Sequence, residues 1–246
     1  RRAAAGGGRG SGVKRAALIV ALCGLVALLW ASAVKTPHHA YRLTVSIETP
    51  QGVKSGSSVV HVFMDTRKGL LPNTGGGTAI WGDAIVLDLG DGKNVVALLA
   101  PDDIALKAFG RAGRSLMPDE VKSLTGEVAL NRVLVPTIVT FPDLNDPAGA
   151  TIVYGVRWRD TPPQGVAPDY IDDFRAVLGV GYGFRSATVE LVPAGIWPLN
   201  LVGLTGLPVT RGVEKRIPFL ASHREQLYRQ SSQVGRYVPM LGHFVR

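Results

Sequence analysis

Hydrophobic and polar positions follow three successive patterns along this chain. Between Ala16 and Val34 nineteen residues pass without a charge, bounded by Lys14 and Arg15 on one side and Lys35 on the other. A helix rises about 1.5 Å per residue, so the run covers roughly 28 Å, close to the thickness of a bilayer hydrocarbon core. It predicts one transmembrane helix over residues 13–35. From Tyr41 the period drops to two, with Leu43, Val45 and Ile47 alternating with Thr44, Ser46 and Glu48. That alternation predicts a half-buried strand over Tyr41–Thr49. From Pro193 onward the apolar residues come in short pieces broken by Pro and Gly: Ile196-Trp197-Pro198, Leu207-Pro208, Ile217-Pro218-Phe219-Leu220.

Local chemistry fills in the elements between. After turns at Pro50, Gly52 and Gly56, a second strand is expected over 57–64, paired with the first through an irregular connection. Leu70–Gly82, with its three consecutive glycines at 75–77, reads as a loop. Strands over Ala84–Leu89 and Asn94–Leu99 flank Asp91-Gly92, which supplies the positive φ angles of a tight hairpin. Pro118–Gly126 carries Pro and acids in front and Gly behind, the signature of a short capped helix. Arg132–Phe141 reads as a strand at an edge or bulge because of Pro136. Pro168–Leu178 reads as a second helix, with Ile171, Phe174, Val177 and Leu178 on one face. Ser186–Val192 is a further strand, Ala221–Gln230 a helix, and Ser231–Arg246 an extended tail. The fold class expected is α+β: a strand-dominated exported domain after one N-terminal transmembrane helix. Its parts are a flexible cytoplasmic stub over 1–12, a β-rich periplasmic domain over 36–220, and a basic, aromatic C-terminal helix or tail over 221–246.

Charge changes this picture only where it is divided along the chain. The net charge of +8 is uneven: residues 1–35 hold six Lys or Arg and no acid, 36–204 hold fourteen bases against seventeen acids, and 205–246 hold seven bases against two acids. The basic leader orients the run with its N-terminus in the cytoplasm and the domain outside, on the inner membrane of a bacterium, where anionic lipid accounts for the leader charge. An exported domain of this charge argues against nucleic acid as a partner. Ala31-Ser32-Ala33 resembles a signal cleavage site, but the run is longer than the roughly 7–15 apolar residues of a signal peptide, so retention is favoured. Leu22 before Cys23 speaks against a lipoprotein. Trp30 lies at the outer end of the run, where an indole suits the headgroup layer, and Ala21, Gly24 and Ala27 form a small-residue stripe that would let another helix approach.

Cys23 is the only cysteine, so no intramolecular disulfide or Cys-based metal site is available. The five histidines show no metal-binding spacing. Asp102/Asp103 and Asp172/Asp173 suit helix starts better than a shared acid-base site, because adjacent side chains diverge. Asp143, Asn145 and Asp146 suit a turn better than a calcium loop, lacking the glycine and distal glutamate of that pattern. Lys54 with Ser55, Ser57 and Ser58 lacks the context of a Ser-Lys nucleophile. GVGYGF at 179–184 lacks the strand and helix of a nucleotide fingerprint, and no cofactor is implied.

The segments LTVSIETPQGVKSGSSVVHV, residues 43–62, and GVEKRIPFL, residues 212–220, resemble a group of proteobacterial single-span envelope proteins to which no activity is attached. The resemblance implies an exported accessory protein and carries no catalytic residue. The tail interleaves Tyr228, Tyr237 and Phe244 with Arg229, Arg236 and Arg246, a composition typical of interface hot spots. The leading expectation is a non-catalytic accessory or scaffold subunit, not an enzyme, in an integral-membrane protein complex. Its contacts would be membrane lipid and partner chains, made through Ala21, Gly24, Ala27 and Trp30 of the span, the Pro/Gly-rich segment 193–220, and Tyr228, Arg229, Arg236, Tyr237 and Phe244 of the tail. A periplasmic binding module for a small ligand or anionic envelope polymer is the alternative, and a hydrolase the third.

Overall fold

The computed structural model describes residues 37–68, 75–100, 103–110, 114–161, 165–222 and 244. The apolar run 16–34, with Ala21, Gly24, Ala27 and Trp30, lies outside them, as do Tyr228, Arg229, Arg236 and Tyr237. Among the described residues no helix is long and apolar enough to cross a membrane.

Among the described residues ten strands form two antiparallel sheets. Sheet I holds β1 (His39–Thr49), β2 (Gly52–Lys68), β3 (Gly75–Trp81), β6 (Gly126–Ala129) and β10 (Gly183–Val192), in the order β3-β2-β1-β10-β6. Sheet II holds β4 (Ile85–Gly90), β5 (Lys93–Ala97), β7 (Ile138–Thr140), β8 (Thr151–Thr161) and β9 (Gly165–Asp172), in the order β4-β5-β7-β8-β9. The inward residues of β1, Tyr41, Leu43, Val45 and Ile47, meet Ile85, Leu87, Val95, Ile138 and Val153 of sheet II in one core, which makes the domain a sandwich. In β1 the inner positions alternate with outward, more polar ones as a period of two demands. Gly56 lets sheet II pack closely on β2: a Cβ there would lie 2.8 Å from side-chain carbons of both Ile85 and Leu87.

Short helices fill the flanks: α1 (Ile104–Ala108), α2 (Pro118–Val121) and α3 (Phe174–Leu178). Burial of Ile104, Val121, Phe174 and Leu178 ties them to the core. The strand-dominated reading therefore holds, with the helices shorter than expected.

The Asp91-Gly92 turn is as expected, with φ of 54° and 73°, and joins β4 to β5. Other expectations are corrected. The β1–β2 connection is tight, with Thr49 paired to Gly52 across Pro50-Gln51, so β2 starts before 57. The glycines at 75–77 belong to edge strand β3, not a loop, because β2 offers them a backbone to pair with. Arg132–Phe141 is a strand only over 138–140; Asn131 caps a turn through its side-chain bond to the Leu134 N–H at 3.2 Å. The helix expected over Pro168–Leu178 splits into β9 and α3. Pro168 sits on the edge strand, where its missing N–H costs least.

The segment after β10 winds around the sandwich. β10 ends at Val192, beside the start of β1, with Ala40 facing Val192 across the pair. Residues 193–207 then form a compact loop whose ends meet, the Leu207 N–H donating to the Pro193 carbonyl at 3.3 Å. Thr210 next bonds the exposed backbone edge of β2 at Val59 in both directions, at 2.8 and 3.0 Å. Beyond the edge, the Val213 N–H donates to the Asp83 carboxylate at 2.9 Å. Val213, Ile217 and, from α4 (Phe219–Ser222), Phe219 and Leu220 cover the outer face of sheet II.

Candidate functional site

The end of the sandwich from which the chain leads back to the apolar run carries the most chemistry. One cross-strand row there consists of Ala40, His61 and Trp81, from β1, β2 and β3. Alternation places all three on the outer face of sheet I. His61 is fully buried. The Asn200 side-chain amide donates to His61 Nδ1 at 3.0 Å, which leaves His61 Nε2–H to donate to the Leu207 carbonyl at 3.0 Å. The amide also donates to the Ala194 carbonyl at 3.0 Å. The imidazole thus fastens the 193–207 loop onto the sheet. Burial lowers the His61 pKa; the Leu207 bond opposes this and the nearby Arg211 charge adds to it.

Trp197 of that loop meets Trp81 edge-on with ring centroids 4.3 Å apart, and Phe63 lies 5.6 Å from Trp81. The Arg211 guanidinium stands over both indoles, 5.5 Å from Trp81 and 5.4 Å from Trp197. Around this cluster the loop exposes aliphatic side chains: Val202 is 73% and Leu204 72% accessible, and Ile196 39%. Gly195 and Gly206 form the neck, where a Cβ would lie 2.1 Å from the Thr205 carbonyl and 2.6 Å from the Pro193 carbonyl respectively. The loop is therefore rigid in its base and apolar at its tip.

At the same end His38 and His39 approach through their Nδ1 atoms at 3.0 Å, and His38 Nε2 lies 3.9 Å from the Asp119 carboxylate. Burial, with the neighbouring His38, lowers the His39 pKa to about 4. Among the described residues no group of three or more His, Cys, Asp or Glu is placed to hold a metal ion.

A second feature is an open groove of about 580 Å³ on the outer face of sheet I, lined by Arg42, Thr44, Ser55, Ser57, Val59 and the strap Leu207–Thr210. Arg42 pairs with Glu190 of β10 at 2.8 Å.

The remaining candidate residues resolve into structural roles. Lys54 donates to the Asp88 carbonyl at 3.1 Å, Ser55 pairs with Ser46 at 2.7 Å, and Ser58 donates to the Asp83 carbonyl at 2.6 Å. The Ser-Lys pairing is not assembled, since Ser55 and Ser57 face away from Lys54 and Ser58, four residues along the strand, commits its hydroxyl to Asp83. Asp143 accepts from both nitrogens of Asn145 at 2.8 Å, and Asp146 accepts from the Ala148 N–H at 2.8 Å, which are turn bonds. Asp103 precedes α1 but makes an ion pair with Lys107 at 2.7 Å instead of capping it. Asp172 ends β9, and Asp173 precedes α3 without a side-chain cap bond.

Burial narrows two of the expected contact regions. Phe244 is fully buried, its ring 6.2 Å from Phe141 and 5.6 Å from Phe219, and its carbonyl accepts from the Ala84 N–H at 2.7 Å. An aromatic ring packed among its own domain's rings presents no surface to a partner. Much of 193–220 is likewise internal: Val209, Val213, Ile217, Phe219 and Leu220 are buried. The large aliphatics that this segment leaves exposed are Ile196, Val202 and Leu204, on the loop. The cluster of Phe63, Trp81, Trp197 and Arg211 was not readable in the sequence, because its members are far apart and Trp81 closes a Gly-rich stretch.

No family model, curated protein or solved structure matches this chain.

Proposed function

We propose that this protein is a membrane-anchored accessory subunit, held by the apolar run 16–34, whose exported β-sandwich positions contacts in an integral-membrane assembly of the bacterial inner membrane. One observation supports it above the others. The sandwich closes its own apolar faces, with the C-terminal segment lying over sheet II, yet leaves an apolar loop tip exposed at the end where β1 begins, five residues after Val34. A domain built to stand free in solution gains nothing from three exposed aliphatics in one nine-residue stretch, whereas one held beside a bilayer and its proteins has surfaces to set against them. The small-residue stripe Ala21, Gly24 and Ala27 offers a partner helix a close approach. Extraction in mild detergent is expected to yield the chain in a particle with other integral-membrane proteins. A lone monomer under those conditions overturns the reading.

The groove beside Arg42 favours a second reading, a binding module for a small anionic ligand. Hydroxyls from Thr44, Ser55, Ser57 and Thr210 with one guanidinium suit carboxylate or phosphate groups. Binding that weakens with salt and is lost on Arg42→Glu supports it; binding indifferent to both does not.

A further inference from the structure

The exposed loop tip and the apolar run lie within a short tether of each other. His39 begins β1, and the His38 N–H is fixed to the Val62 carbonyl at 2.7 Å. Only residues 35–37 separate Val34 from that fixed point, a reach of at most about 14 Å even fully extended. The loop 193–207 starts from the strand end beside Ala40, and His61, paired to Ala40, holds Asn200. Whatever plane contains the outer end of the run therefore passes close to this loop.

The loop has the chemistry of that plane. Val202 and Leu204 are nearly three-quarters exposed on a base that Gly195, Gly206 and the His61–Asn200 bond make rigid. The same loop brings Trp197 onto Trp81, two half-buried indoles, which favour the headgroup layer because the ring is apolar and the N–H polar. Arg211 lies over both rings, exposed to solvent, with a planar donor set that matches a lipid phosphate. The opposite end of the sandwich differs. It carries the Pro50-Gln51 turn, the Arg185–Glu48 ion pair at 3.2 Å, and exposed valines spread over three separate elements, Val53 at 49%, Val177 at 43% and Val180 at 78%, instead of gathered on one loop.

We propose that the 193–207 loop seats on the bilayer that holds the apolar run, with Val202 and Leu204 in the acyl–headgroup boundary, Trp81 and Trp197 at headgroup level and Arg211 on a lipid phosphate. The proposal rests on the anchor reading and adds to it a second point of attachment. Two fixed points, a helix and a loop, define the domain's tilt over the membrane, which a single flexible tether does not.

Spin labelling of the full chain in nanodiscs of phosphatidylethanolamine and phosphatidylglycerol tests this. Native Cys23 reports on the run; in a Cys23→Ser background, Val202→Cys reports on the loop and Val180→Cys on the far end. Each nitroxide is relaxed with oxygen, which concentrates in lipid, and with a water-soluble nickel chelate. The expected result is an oxygen-to-nickel accessibility ratio several-fold higher at 202 than at 180, with Cys23 strongly oxygen-accessible. Lipid-like values at Cys23 with equal, aqueous values at 202 and 180 overturn the proposal and leave the anchor standing. Aqueous values at Cys23 overturn both. A label at 202 shielded from both relaxants means that a second copy of the chain covers the loop, which also overturns the lipid assignment.

Discussion

The outer faces of the two sheets meet the same problem with opposite solutions. Sheet II turns Ala84, Val86, Val96, Val139 and Phe141 outward, and the chain returns from the far side to cover them with Val213, Ile217, Phe219, Leu220 and Phe244. Sheet I turns outward Arg42, Thr44, Ser46, Ser55 and Ser57 over most of its length, and is covered only at one end, where Ala40, Val59 and Val192 meet Ala194 and Leu207. A polar face needs no cover, while an apolar face open to water costs about 25 cal/mol for each Å². The difference teaches that the C-terminal segment serves two purposes. Over sheet II it completes a second core, and over sheet I it is a polar-pinned appendage with an apolar tip.

The largest effect is expected at the sheet II cover. Phe219→Ala removes a fully buried ring lying 5.3 Å from Phe141, and such truncations cost about 3–5 kcal/mol. Urea unfolding measures it; a loss below about 1 kcal/mol means that the segment is not part of the core.

Acid comes next and acts at the covered end of sheet I. The folded state holds His39 near a pKa of about 4 against the ordinary 6.5, and His61 is also lowered. The unfolded chain therefore binds more protons between those values, so stability is complete above about pH 6.5 and falls as the pH drops toward about 4. At about 1.4 kcal/mol per pH unit, His39 contributes at most about 3 kcal/mol to this loss. Asp83, whose pKa burial raises, works in the opposite sense as it protonates. Urea midpoints that stay flat from pH 7 to 5 contradict the assignment.

Asn200→Ala follows, at about 1–2 kcal/mol, since it leaves His61 Nδ1 and the Ala194 carbonyl without their bonds. Faster proteolysis confined to 193–207 is expected, with the sheet II cover unaffected. The smallest effect is at Arg42→Ala. Its ion pair with Glu190 is over a third exposed on both sides, and stability should change by less than about 1 kcal/mol. A larger loss would show that the polar face carries more of the fold than its exposure implies.

Legibility in the sequence followed the locality of each signal. Strands β1, β4 and β5 were readable because their alternation and the Asp91-Gly92 turn are written in adjacent residues. β3, β8 and β9 were not: Gly75–Gly77 and Pro168 argue against strands in isolation, and only a neighbouring backbone with free donors and acceptors makes edge pairing favourable. Of the candidate site, Ile196-Trp197-Pro198 was visible as an unusual apolar piece. Its meeting with Trp81 and Phe63 was not, because nothing local encodes a contact across more than a hundred residues.

The apolar length of Ala16–Val34, the basic leader and the period-two core of β1 follow from sequence alone, because each rests on hydropathy or charge over a short window. Which side of the segment after Val192 faces the protein could not be read that way. Pro- and Gly-broken apolar pieces have no period, so their burial depends on what they return to. For Phe244 and Phe219 that is the outward rings of sheet II; for Val202 and Leu204, on a loop clamped by His61 at the opposite sheet, it is nothing within the domain.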